Sequence, residues 1–221
     1  MHTGKRLAML NPKNCRFDVG SGGIPEVVAE DVAHALGRVS AGIGREVLCL
    51  IWWPDGARLT AKDLDSYVDQ MIRDEWHRRE LVMLDGMMAV SLGGSRAQAA
   101  FAAAHAQRWP QIAPVSKELP GIAEGYTMIR NGVLKEIADA GLCPDCAGRG
   151  VAFDDTGLRH ECKTCAGEGH HRLSDRGRGK ACGFESWEKF RDRWMAVYDW
   201  VFQQCMDDLH KAERQFNKAL S

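Results

Sequence analysis

Cys143-Pro-Asp-Cys146-Ala-Gly148-Arg-Gly150 recurs nineteen residues later as Cys162-Lys-Thr-Cys165-Ala-Gly167-Glu-Gly169. Two copies of C-x-x-C-x-G-x-G at this separation put four thiolates on two short loops, the arrangement that closes one tetrahedral metal site. Zinc suits such a set because it is soft, redox-inert and tetrahedral, and four sulfurs leave no open coordination position. The expectation is one structural zinc per chain, held by Cys143, Cys146, Cys162 and Cys165. The glycines behind each pair let the chain turn tightly around the ion. Between the pairs, Val151 to Phe153 and Leu158 to His160 flank Asp154-Asp155-Thr156-Gly157, which reads as a short hairpin and completes the outline of a zinc ribbon. His160, His170 and His171 are spare ligands that four cysteines make unnecessary.

The remaining chain is long enough for one good core beside such a module. It has 221 residues, 45% of them hydrophobic. Its 29 Lys and Arg against 30 Asp and Glu exclude a whole-chain polycation, so any nucleic-acid surface has to be local. Residues 1–30 lack an apolar run behind Lys5 and Arg6, which argues against a secretory leader and for a reducing, cytoplasmic setting. Cys15, Cys49, Cys182 and Cys205 are scattered singly and read as small buried hydrophobes. The apolar stretches Val47 to Trp53 and Leu81 to Leu92 are too short to cross a bilayer.

Periodicity predicts a mainly α protein. Residues 1–24 show no period and read as a poorly ordered arm, after which residues 25–140 form a helical body. Val28, Val32, Ala35 and Leu36 mark its first helix, and Ile43, Val47, Leu48 and Ile51 a second that stops before Pro54. Thr60 and Asp63 resemble a capping box ahead of the stripe Leu64, Tyr67, Val68, Met71 and Ile72. Ala97 to Ala106 favours helix, Pro110, Pro114 and Pro120 form a connector, and Ile122 to Ile137 resumes the helical period. Gly141 hands the chain directly to the metal module, 141–172, which predicts a rigid attachment.

The local positive charge lies in residues 170–180, at the start of the segment 173–221 that reads as a helix-turn-helix and long last helix. Arg172, Arg176, Arg178 and Lys180 face the single acid Asp175. Ser174 can cap a short helix ending at Gly183, with Gly179 four positions earlier as the small residue that lets two helices approach. A longer helix then starts at Glu185 or Ser186 and runs to about residue 219, with Phe190, Trp194, Tyr198 and Phe202 at steps of four. Together these resemble a helix-turn-helix, whose second helix would bring Ser186, Lys189, Arg191 and Arg193 to DNA. The bland alternative is an amphipathic helix with solvated charges, since Glu185, Glu188 and Asp192 interrupt the basic face. The adjoining zinc module shifts the balance towards nucleic acid.

With these residues in place, the chain resembles the late-gene antitermination protein Q family of lambdoid phages. The resemblance rests on the paired C-x-x-C-x-G-x-G units, the helix-turn-helix after them, Trp187, and Val197-Tyr198-Asp199 to Gln204-Cys205. A second patch is Asp31-Val32 to Ala35-Leu36-Gly37 with Ala41-Gly42-Ile43-Gly44. The resemblance implies a non-enzymatic factor that binds double-stranded DNA at a late promoter and loads onto paused bacterial RNA polymerase with its sigma factor. It then makes the polymerase read through pauses and terminators. Trp52, Trp53, Trp76 and Trp109 are candidate polymerase anchors in the helical body, although core positions are the simpler reading of each. The main alternative is a zinc-stabilised helix-turn-helix regulator of initiation. A chaperone-like zinc module and a thiol oxidoreductase are further alternatives, the latter disfavoured because no βαβ pattern surrounds either cysteine pair.

Overall fold

The structure is a computed structural model that describes residues 7, 10, 28–53, 61–93, 95–110, 121–138, 151–153, 158–165, 167 and 173–220. It is mainly helical. The body comprises α1 (Ala29–Gly37), α2 (Ile43–Trp52), α3 (Ala61–Leu92), α4 (Ser95–Ala106) and α5 (Gly121–Ala138). A two-stranded antiparallel sheet of β1 (Val151–Phe153) and β2 (Arg159–Glu161) follows, then α6 (Asp175–Ala181), α7 (Trp187–Arg193) and α8 (Met195–Leu220). Among the described residues, no helix is long and apolar enough to cross a membrane.

The last helix organises the whole. Val197, Val201, Cys205, Leu209, Ala212 and Phe216 recur at steps of three and four along α8, and all are buried. That stripe packs against α1, α2, α5 and α7. Its tightest approach is to α2, where a Cβ on Gly44 would collide with the backbone of Asp208. Glycine there is needed because the two helix backbones are nearly in contact. Val32, Leu48, Ile129, Val133, Phe190 and Phe216 therefore belong to one buried cluster, which draws on both the 25–140 and the 173–221 segments. Most of the expected N-terminal arm lies outside the described residues, but Leu7 is fully buried in that same cluster.

The α3 stripe is narrower than its period suggests: Leu64, Val68 and Ile72 are buried, whereas Tyr67 is 44% exposed. Arg130 on α5 ties this end of α3 down through Asp69 at 2.6 Å and Asp65 at 3.5 Å. Beyond residue 80, α3 continues without a proline and carries α4 folded back on it. The aromatic residues of the body are largely structural. Trp109 is 4% exposed with its ring edge-on to Trp200, and Trp76 Nε1 donates to the Pro110 carbonyl at 3.0 Å. Trp53 is packed against the core, and the side chain of Trp52 lies outside the described residues. Trp109 is thereby withdrawn as an anchor for a partner.

One expected element is divided. The helix read from Glu185 or Ser186 to about 219 is interrupted at Trp194, whose φ of −117° departs from ideal helix geometry while its amide still donates to the Phe190 carbonyl at 2.8 Å. The indole of Trp194 occupies the space above Gly125 on α5 and meets Tyr126 edge-on at 5.0 Å between ring centroids. Phe190 and Trp194 are both buried in the main core just before α8 begins.

Candidate nucleic-acid interface and cysteine module

Two short helices follow the cysteine segment. Ser174 Oγ accepts from the Gly177 amide and starts α6, as its sequence predicts. The chain then reverses at Gly183, whose φ of +84° suits a residue without a Cβ. Ser186 Oγ accepts from the Lys189 amide and starts α7. Between the helices, a Cβ on Gly179 would stand 3.2 Å from the Phe190 ring, so the close approach read from Gly179 is present and its partner is Phe190. Phe184 closes the turn, 5.4 Å from Phe190 and 5.8 Å from Trp194 between ring centroids.

The cations divide into two groups. Arg176 and Lys180 on α6, with Lys189 and Arg193 on α7, are exposed and have no ion-pair partner among the described residues. Arg191 is exposed but bonded to the neighbouring Asp192 at 2.7 Å. Ser186 spends its hydroxyl on the helix cap and on Glu188 at 2.9 Å. The Glu188 carboxyl is held below its usual range by its own backbone amide and by Ser186, so a fixed negative charge remains at the start of α7. Arg172 lies outside the described residues.

Arg178 corrects the sequence reading. Its side chain is 9% exposed, and Nε and Nη2 bond Glu136 at 3.0 and 3.2 Å while Nη1 bonds Asp199 at 2.9 Å. Its guanidinium also lies 5.2 Å from the Tyr198 ring centroid and 5.3 Å from that of Phe202. Burial alone would ease its proton off, but Glu136 outweighs this and holds the charge on. All three guanidinium nitrogens bond carboxylates of this chain, and with the side chain buried this removes Arg178 from the exposed phosphate-binding surface.

Glu136 is the hub that periodicity did not single out. Its carboxylate accepts from Arg178, from the Tyr198 hydroxyl and, at 3.1 Å, from the Leu173 backbone amide. Burial, followed by the bond to Glu136, pushes the Tyr198 phenol far above its ordinary range, so it remains a donor. The sequence signal was available: Glu136 follows Ile129 and Val133 in the core register of α5, where a lone acid calls for a buried cation. Through Leu173 this carboxylate ties the end of α5 to the residue that resumes the described chain after the cysteine segment.

Within that segment, β1 pairs with β2 in the register Val151 with Glu161 and Phe153 with Arg159, one residue later on the second strand than the hairpin reading. Cys162 and Cys165 follow directly and are 1% and 7% exposed. They form a buried cluster of their own, separate from the main core. The Gly167 amide donates to the Cys162 carbonyl and its φ is +79°, which folds a tight loop around the pair. Two thiols buried together on such a loop fit half of a four-thiolate zinc site; Cys143 and Cys146, the other half, lie outside the described residues. Among the described residues, no group of three or more His, Cys, Asp or Glu could hold a metal.

The other cysteines behave as packing groups. Burial pushes the Cys182 and Cys205 thiols up to about 12 and raises that of Cys49. An open groove of about 410 Å³ beside Trp200 is lined by Tyr67, Met71, Asp74 and Glu75, but the Glu75 carboxylate is consumed by Arg78 and Arg79 at 2.6 and 2.7 Å. No family model matches the chain, and no curated protein matches it.

Proposed function

We propose that this chain is a non-enzymatic, zinc-stabilised DNA-binding factor of the phage antitermination kind. It binds promoter DNA through a helix-turn-helix formed by α6 and α7. It loads onto paused, sigma-containing RNA polymerase and makes it read through terminators. The observation that carries the reading is the pair of short helices joined at Gly183, presenting Arg176, Lys180, Lys189 and Arg193 to solvent directly after the buried Cys162 and Cys165. Four solvated cations on two adjoining helices give phosphate affinity that is modest and salt-dependent, which suits a factor that has to leave its DNA site. The acids Glu185, Glu188 and Asp192 restrict close approach to part of that surface. The resemblance of the cysteine and helix motifs to the antitermination family supplies the polymerase half of the proposal. Cys143, Cys146, Cys162 and Cys165 would hold the zinc, whose contribution is to lock the loops that carry them.

Transcription by bacterial holoenzyme on the DNA flanking this gene tests the function. Full-length RNA beyond a strong terminator should rise when the protein is present and should depend on promoter-proximal DNA. Unchanged termination with altered initiation would replace this reading with that of a promoter-bound regulator.

The DNA surface has its own test. Arg176→Ala and Lys180→Ala are each expected to weaken binding about three- to tenfold and to lower the salt slope by about one, with the unfolding midpoint unchanged. Anisotropy titrations at several salt concentrations measure both; unchanged affinity in folded variants would remove α6 from the interface.

A further inference from the structure

We infer that Glu136 is a positioning residue for the DNA-binding surface: this buried carboxylate keeps α6 folded, and with it aims the two cations, Arg176 and Lys180, that α6 brings to phosphate. The inference rests on the helix-turn-helix reading above. By its own sequence α6 is a poor helix. It has seven residues, Asp-Arg-Gly-Arg-Gly-Lys-Ala, of which Gly177 and Gly179 disfavour helix, and a helix alone in water needs roughly 12–15 residues even with good formers. Nor does apolar burial compensate. Arg178 and Gly179 are the buried residues of α6, so the side chain that it places in the interior is a cation.

Glu136 on α5 takes that cation through both of its oxygens, at 3.0 and 3.2 Å. The same carboxylate accepts the Leu173 amide at 3.1 Å, one residue before the Ser174 cap. One group thereby fixes the entry to α6 and its middle, while Cys182 packs on Gly132 of α5 at the far end. The remaining guanidinium nitrogen goes to Asp199, whose side chain is 53% exposed and so holds less firmly. Arg176 and Lys180 lie two positions before and after Arg178, and a step of two on a helix leads to the other side. Drawing Arg178 inward to Glu136 therefore turns both of them outward, where they are exposed.

Hydrogen exchange and DNA anisotropy on the full-length protein test it. Glu136→Leu removes both bonds and leaves the site apolar. The amides of Arg178, Cys182, Gly183 and Phe184, bonded within α6 and its turn, should exchange at least tenfold faster through openings that do not respond to urea. Those of α2 and α8 should keep their urea dependence. DNA binding should weaken at least tenfold and its salt slope should fall by about two, the share of Arg176 and Lys180. A residue that merely stabilised the core would leave that slope unchanged in folded protein. Glu136→Gln, which restores an uncharged acceptor, should recover part of both effects. Tyr198→Phe removes another donor to the same carboxylate and should change neither. Unchanged exchange in α6, a wild-type slope at reduced affinity, or a Glu136→Leu protein that unfolds as a whole would overturn the inference. A wild-type protein without DNA affinity would instead sink the proposed function, and exchange alone would then decide whether Glu136 holds α6.

Discussion

Arg178→Ala is expected to destabilise the protein by about 3–5 kcal/mol, the cost of removing one partner from a buried ion pair. The Glu136 carboxylate would keep its bonds from Tyr198 and the Leu173 amide but lose its buried cation. The variant would also lose the packing of the guanidinium on Tyr198 and Phe202. Urea unfolding monitored by circular dichroism measures the loss as a fall in midpoint. A paired replacement separates charge from volume. Glu136→Leu combined with Arg178→Met should recover much of the loss, because neither charge is then left alone.

Removing zinc from the proposed four-thiolate site is expected to cost its module on the order of 10 kcal/mol of apparent stability, which amounts to unfolding it. Cys162→Ser should have the same result. Cys162 and Cys165 sit in a buried cluster separate from the main core, so that core does not hold their loop closed. Elemental analysis should give one zinc per chain in the wild type and less in the variant. Hydrogen exchange should rise across β1 and β2, whose short antiparallel pairing is too small to persist alone. The helices of the main core should remain protected, because their burial does not depend on the thiols. Full zinc content in the Cys162→Ser protein, or unchanged protection of the hairpin after chelation, would sink the four-cysteine site.

The helices and caps were legible because their signals are local. Ser174 before α6, Gly183 after it, and the alternating burial of α5 and α8 each depend on a few neighbouring residues. Arg178 was not legible as a core residue. In a run with Arg176 and Lys180, nothing local distinguishes a cation that points inward, and the deciding partner, Glu136, is 42 positions away. The break at Trp194 is similar, since the helical period continues across it and the cause is an indole lodged against Gly125 on another helix. The exposure of Leu84, Met88 and Leu92 was not legible either, because which side of an apolar helix is covered depends on where α4 packs.

The backbone contact between Gly44 and Asp208 also bears on how the protein is made. Helices α1 and α2 emerge before α8 in synthesis, but their main packing partner is the stripe on α8, more than 140 positions later in the sequence. Such distant pairing cannot begin until residues 195–220 have left the ribosome. A ribosome stalled within the cysteine segment would therefore carry helices without their shared core, exposed to proteolysis. Completion of the last helix is the event that turns the early segments into a folded body.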